Sequence, residues 1–300
     1  MNDQHKTTRS AMTTIPVFTM NNGCTIPALG HGVFQMTSQQ VRTHLRQALE
    51  AGYRHIDTAN AYFNEVAVGE VVHEAIADGL VRREEVFITS KLFPQSYPYE
   101  QAVKDIDATL ERLGLDYLDL LLLHQPYGEY VSAWKAIEEA VQAGKLRSIG
   151  LSNFSASKTR EILDVATIPP AVNQVEINPR WNQHALKKEL ADTGILYEGW
   201  YPLGHGDPSL LAEPAIVAAA ARTGATQAQV VLAWHLAEGN VIFPKTLNPA
   251  HMADNLAAAS IELSHDEVDA INAIPQQAYY TVPDQAPEWV WGPNDYSQQV

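Results

Sequence analysis

Eight times along this chain a short apolar run of strand length gives way to a longer stretch with helical spacing, and this alternation most limits the folds open to it. The strand-like runs fall at 28–33, 53–58, 86–91, 117–124, 148–152, 171–177, 195–203 and 241–245. Between them lie helix-like runs near 38–50, 64–78, 100–113, 130–143, 156–166, 184–192 and 227–238. Another follows the last strand at 251–260, and extra ones lie near 213–223 and 264–273. A run such as Leu118-Asp119-Leu120-Leu121-Leu122-Leu123 is nearly all apolar, as a strand covered on both faces must be. The sheet is therefore expected to be parallel. Eight such units in 300 residues, with no Pro/Gly-rich linker and no low-complexity tract, predict an α/β fold: a single (β/α)8 barrel spanning 13–300. Ahead of it, two short runs joined through Asn21-Asn22-Gly23 read as a hairpin that would plug one end of the barrel. Residues 1–12 are polar and read as a disordered extension.

The structural competitor is an open, doubly wound sheet, which would carry a Gly-x-Gly-x-x-Gly turn between a strand and a helix. Gly30-His31-Gly32-Val33-Phe34-Gln35 and Gly204-His205-Gly206-Asp207-Pro208-Ser209 both lack the third glycine, and neither has strand, turn and helix in that register. A barrel, in contrast, places its ligand at the mouth formed by the C-terminal ends of the strands. Those ends are polar or ionisable here: Asp57, Lys91, His124, Ser152-Asn153, the stretch from Gln174 to Asn178, and Lys245-Thr246. Singly, each has a plain reading, Asp57 as a turn residue, Lys91 as a solvated charge, His124 as a satisfied core histidine. Together they converge on one mouth. Tyr62 joins them, five residues beyond Asp57, where the chain has left its strand.

The groups themselves suggest a chemistry. A phenol, with a reference pKa near ~10, is a sluggish acid, and a cation held beside it stabilises the phenolate and eases proton donation. Lys91 can be that cation, and Asp57 is needed to keep a buried lysine charged. His124 can donate a hydrogen bond to the same oxygen that Tyr62 protonates and so orient a carbonyl. The set polarises and protonates a carbonyl without a nucleophile or a metal, so an electron pair must come from elsewhere. A nicotinamide hydride fits: Asn153 and Gln174 offer amides for its carboxamide, and Trp200 offers a flat face.

Composition narrows the partners. With 20 basic and 35 acidic side chains the formal charge is −15, which disfavours nucleic acid and anionic membranes. The single Cys24 rules out an internal disulfide and fits a reducing compartment, so a cytoplasmic location is expected. No apolar run follows Lys6 and Arg9, so 1–11 reads as neither signal peptide nor anchor. None approaches the roughly 20 residues of a membrane helix. A self-contained barrel can work as a monomer.

From the hairpin to about Ile274 the chain resembles the aldo-keto reductases. The matching pieces are Gly52-Tyr53-Arg54-His55-Ile56-Asp57-Thr58-Ala59, Tyr62 with Asn64-Glu65, Thr89-Ser90-Lys91-Leu92 and Leu118 to His124. They continue with Gly150-Leu151-Ser152-Asn153-Phe154, Asn173-Gln174-Val175-Glu176-Ile177-Asn178-Pro179 and Pro244-Lys245-Thr246. The resemblance implies an oxidoreductase acting on CH–OH groups, reducing aldehydes and ketones with NADP(H) or NAD(H). Its catalytic tetrad falls on Asp57, Tyr62, Lys91 and His124. Ser152, Asn153 and Gln174 would hold the carboxamide and Trp200 would stack on the nicotinamide. The implied cofactor set also includes Leu203, Lys245 and Thr246, with Asn255 at the adenine and Asn248 near the 2′-phosphate. Two departures matter. Phe63 follows the tyrosine where many relatives have glycine, which bears on substrate. His251 stands where the family has a phosphate-gripping arginine, and a neutral imidazole grips more weakly than a guanidinium fork. NADP remains the first expectation, with NAD use open. The short segment after Leu203 is similar to the bacterial branch of 2,5-diketo-D-gluconate reductase-like enzymes, acting on keto-sugars and small dicarbonyls; aromatic aldehydes also fit. The aromatic tail, 278–300, either covers the mouth and helps to form the pocket or packs on the outside of the barrel.

Two other readings compete. A barrel hydrolase would pair Asp57 with Glu176 across a glycosidic bond. A non-catalytic relative would bind cofactor as a sensor or subunit. A serine hydrolase lacks the last glycine of its nucleophile elbow at Gly150 to Phe154, and His73-Glu74 has no second histidine at zinc-protease spacing.

Overall fold

The computed structural model describes residues 15–280, 282–283 and 285–291. The expected disordered extension, 1–12, lies outside them. The chain opens with the antiparallel pair β1 (Val17–Thr19) and β2 (Thr25–Pro27), in register Val17↔Pro27. Gly23 takes φ +83 in the connecting turn, a left-handed conformation that a side chain would strain, and Met20 N–H closes it on Cys24 O at 2.9 Å. The hairpin sits at the N-terminal end of the barrel: Asn21 Nδ2 donates to Pro170 O at 2.8 Å and Asn22 Nδ2 to Ser148 Oγ at 2.9 Å. Its Met20 and Ile26 pack with Phe87, Leu120, Leu122, Val172, Val241 and Phe243. One end of the barrel is thus plugged and the other left for a ligand.

Eight parallel strands follow, alternating with helices: β3 (His31–Gly32), α1 (Ser38–Ala51), β4 (His55–Asp57), α2 (Glu65–Ala77), β5 (Phe87–Leu92), α3 (Tyr99–Leu113), β6 (Leu118–Leu123) and α4 (Tyr130–Gln142). Then come β7 (Leu146–Ser152), α5 (Ala156–Leu163), β8 (Val172–Glu176), α6 (His184–Glu189), β9 (Leu196–Trp200), α7 (Pro208–Leu211), α8 (Pro214–Thr223), α9 (Gln227–Ala237), β10 (Val241–Ile242), α10 (Pro249–Ala257) and α11 (His265–Asn272). The strands pair in order from β3 to β10, and a parallel bridge between Leu29 and Ile242 joins the two edges. Gly30 N–H donates to Ile242 O at 2.8 Å, and a Cβ on Gly30 would lie 2.8 Å from the Phe243 ring, so closure needs glycine there.

Helices such as α1, α3 and α4 pack an apolar stripe on this sheet. In α1 the stripe is Val41, Leu45, Ala48 and Leu49, and a capping box between Thr37 and Gln40 fixes its start. Such a cap contributes about 0.5–2 kcal/mol, and burying each leucine about 1.5–3 kcal/mol. Several expected strands are shorter than their apolar runs, two of them for evident local reasons. The run 195–203 stops at Trp200 because Tyr201 takes φ +52 and Pro202 follows, and 241–245 stops at Ile242, just before Phe243 and Pro244, whose ring nitrogen has no hydrogen to donate. Both endings lie at the mouth, where the backbone must leave the ladder to form loops.

Candidate active site

β4 ends on Asp57 and β5 carries Lys91, and the pairing of these strands sets the two side by side. Lys91 is fully buried, and its Nζ donates to Asp57 Oδ1 at 2.7 Å, Asp57 Oδ2 at 2.8 Å and Thr58 O at 2.9 Å. It also reaches Tyr62 Oη at 3.2 Å. Burial alone lowers the lysine pKa, but Asp57 and Tyr62 outweigh it and hold Lys91 above its ordinary value, as a cation. Tyr62, half-buried, stands on a single helical turn (Asn60–Tyr62) after β4. Burial raises its pKa, and the opposing pull of Lys91 is the smaller effect, so the phenol keeps its proton at neutral pH. The cation offsets the cost of a buried phenolate but does not reverse it.

His124 follows β6 and meets the Tyr62 ring edge-on, centroids 5.7 Å apart. Burial first, then the charge of Lys91, push its pKa well below the usual imidazole value, so it is neutral and has one N–H to donate. Apolar rings flank the pair: Phe34 lies 4.9 Å from Tyr62 and Phe93 5.5 Å from His124. Phe63 takes φ +56, the left-handed region in which glycine is strained least.

The residues expected to meet a carboxamide surround this group. Asn153, itself at φ +66 after β7, donates from Nδ2 to His124 O at 3.1 Å and accepts from Trp200 Nε1 at 3.0 Å. Gln174 Nε2 donates to Asp57 Oδ2 and to Glu198 Oε2, each at 2.8 Å. Both its N–H groups are thereby used, and its carbonyl oxygen remains for a ligand. Ser152 is buried beside them, its hydroxyl oxygen accepting from Asn153. The Gln174 carbonyl, as acceptor, and the Ser152 hydroxyl, as donor, fit a carboxamide, which brings N–H donors and a carbonyl acceptor, and Trp200 is half-buried beside them.

The remaining expected residues lie apart from this group. Lys245 is exposed and donates to Phe34 O at 2.8 Å; Thr246 is half-buried; Asn248 caps α10 by accepting from Ala250 N–H at 3.0 Å; His251 is exposed on that helix. Leu203 packs against Leu210 and its neighbours, and Asn255 is buried on α10, near Tyr53, whose hydroxyl donates to Met252 O at 3.2 Å. Glu176 does not face Asp57: its oxygens accept the backbone N–H groups of Tyr279 and Tyr280, each at 2.9 Å. With Asp57 bound to Lys91 and Glu176 turned to the tail, these two acids do not form the paired carboxylates of a glycosidase.

Two features, Glu198 and Asp207, carry no signal in the sequence pattern. Glu198 is a buried acid within β9. Asp207 accepts from Arg180 Nη1 at 3.1 Å and from Tyr279 Oη at 2.6 Å, tying the loop after β9 to the tail. The tail itself crosses the mouth. Gln95 donates to Val290 O at 3.0 Å, Tyr127 donates to Pro283 O at 2.8 Å, and Trp289 stacks 6.1 Å from Phe93. Of the two places expected for it, the described part of the tail takes the one at the mouth.

No helix among the described residues is long and apolar enough to cross a membrane. A model of the aldo/keto reductase family matches residues 28–276. An aldo-keto reductase of Mycolicibacterium smegmatis is 40% identical over 262 residues, covering 86% of this chain and 93% of that one. Morphine 6-dehydrogenase of Pseudomonas putida is 37% identical over 273 residues, 86% of this chain and 91% of its own. The solved structure of a Bombyx mori aldo-keto reductase in complex with NADP superimposes with a TM-score of 0.83 at 33% identity, covering 90% of this chain and 95% of that one.

Proposed function

The chain belongs to the aldo/keto reductase family, and from that premise we propose that it reduces aldehydes and ketones to alcohols with NADPH, with Tyr62 as the proton donor. The observation that carries this reading is the fully buried ammonium of Lys91, held between the Asp57 carboxylate and the Tyr62 hydroxyl. When bound, the cofactor supplies the hydride. The chain's own residues supply the rest. His124 holds the carbonyl oxygen through its N–H and polarises the carbon. Tyr62 Oη passes its proton to that oxygen as negative charge builds on it, and Lys91, kept charged by Asp57, stabilises the phenolate left behind. A proton from water then restores the phenol.

Ser152, Asn153 and Gln174 would hold the carboxamide, Trp200 and Leu203 the rings and chain beside it, and Asn255 the adenine end. Lys245, Thr246 and Asn248 support a grip on a 2′-phosphate, which favours NADP; His251 offers no guanidinium fork there and leaves NAD usable. The aromatic walls at Phe34, Phe63, Phe93 and Trp289 suit small dicarbonyls and aromatic aldehydes. Keto-sugars remain in scope by the likeness to the diketogluconate reductase branch. We further propose that residues 13–300 act as one domain, as a monomer in the cytoplasm.

The test is loss of reduced-nicotinamide absorbance with methylglyoxal or benzaldehyde, run in parallel with NADPH and NADH. Carbonyl-dependent oxidation, faster with NADPH, is expected. A protein that binds NADPH yet oxidises it with neither carbonyl would be a cofactor-binding sensor or subunit.

A further inference from the structure

Glu198 lies in the middle of β9, in register with Gln174 on one side and Val241 on the other, and is wholly buried. Its Oε2 takes one N–H of the Gln174 amide and Asp57 Oδ2 takes the other, both at 2.8 Å. Asp57, already bound to Lys91, can only accept, so the amide must turn its nitrogen toward it. The second N–H then falls to Glu198. Glu198 Oε1 is buried with no hydrogen-bond partner among the described residues. One unbroken chain of hydrogen bonds therefore runs from Tyr62 through Lys91, Asp57 and Gln174 to Glu198.

Charge decides the state of that last acid. The groups facing it across the barrel are Asp57 and Lys91. His55, also inside, bonds to Pro27 O and to Thr89 Oγ1, both at 3.0 Å, and burial lowers its pKa to about 3, so it stays neutral. Val241 of β10 brings no charge, and Glu176, two residues beyond Gln174, is turned to the tail. One cation balances one carboxylate, and a second buried carboxylate would have no counter-charge.

We propose that Glu198 is a positioning residue for carbonyl reduction: as a neutral acid it fixes the Gln174 amide with only its carbonyl oxygen left for the cofactor's carboxamide N–H, and on ionising it weakens proton donation by Tyr62. The proposal rests on the reductase reading above. Loss of the Glu198 proton to solvent sets a negative charge one amide away from Asp57, which opposes the phenolate that Tyr62 must become. Burial, then the charge of Asp57, raise the Glu198 pKa to about 8. Tyr62 itself is raised above the ordinary phenol value, so an alkaline limb near neutrality is not its own.

The experiment is kcat for carbonyl reduction from pH 6 to 10 in the wild type, Glu198→Gln and Glu198→Leu, with NADPH affinity followed by protein fluorescence. Wild-type kcat falls through an alkaline limb near the Glu198 pKa of about 8. Glu198→Gln, which keeps the acceptor but cannot ionise, moves that limb up by at least about one pH unit, where ionisation of Tyr62 takes over. Glu198→Leu, which frees the Gln174 amide, weakens NADPH binding about tenfold, the worth of one hydrogen bond. An active wild type whose limb is unmoved in Glu198→Gln overturns this proposal alone. A wild type that oxidises no NADPH at any pH overturns the reductase reading and the proposal with it.

Discussion

At the reactive end of the mouth the ammonium of Lys91 is fully buried and meets Asp57, Thr58 and Tyr62, whereas at the far end the ammonium of Lys245 is exposed and donates to the Phe34 carbonyl. The same functional group is thus used in two ways. Lys91 is placed by strand pairing, and its charge is part of the fold: removing a partner leaves an uncompensated buried ion. Lys245 is placed by a loop between β10 and α10, exposed, with its ammonium on the Phe34 carbonyl. The reactive end is therefore finished before any ligand arrives, while the proposed choice between NADP and NAD falls to exposed side chains such as Lys245 and His251. Chemistry and cofactor choice should separate under mutation.

Lys91→Met is the strongest way to break this contrast. It should lower kcat by roughly 10²–10⁴ and, by stranding Asp57, cost about 3–5 kcal/mol in a urea unfolding experiment. Lys245→Met should leave the unfolding midpoint within about 0.5 kcal/mol of the wild type, as exposed substitutions do.

The buried end should also respond to pH in a way that the exposed end does not. The Glu198 pKa is raised from 4.5 to about 8, so the stability this acid contributes is fully present below the lower value and is lost as pH rises through the upper one. Glu198→Gln should accordingly gain on the wild type between pH 5 and 9, by an amount on the order of 3–5 kcal/mol, read from paired unfolding midpoints.

At the exposed end, His251→Arg should tighten NADPH by about tenfold, or about 1.4 kcal/mol, with NADH affinity unmoved. Equal tightening of both cofactors would mean that the residue does not meet the 2′-phosphate. The smallest effect belongs to the rim. Phe63→Gly should relieve the left-handed backbone by about 1 kcal/mol and raise KM for aromatic aldehydes more than for methylglyoxal.

The same contrast explains what was legible in the sequence. Asp57, Lys91 and His124 stand at the ends of apolar strands, and in a parallel barrel that position alone brings them to one mouth. Glu198 carries no such signal, because a lone acid in Tyr197-Glu198-Gly199-Trp200 is buried or exposed according to which face turns inward. Only the register with Gln174 decides that. The tie of Asp207 to Arg180 and Tyr279 joins positions 27 and 72 residues apart through loops, where no periodicity reports the contact. The departure at Phe63 is visible in the sequence, but its positive φ is a property of the turn that follows β4 and is written in no single side chain.

The central claim is that Tyr62 gives the proton and that the chain beneath it is otherwise complete. Tyr62→Phe tests it most directly, with turnover and NADPH binding measured on the same preparation. The account predicts a loss of roughly 10²–10⁴ in kcat with NADPH affinity within about twofold of the wild type, because only the donor oxygen is removed. Turnover close to that of the wild type, with NADPH still bound, would contradict it.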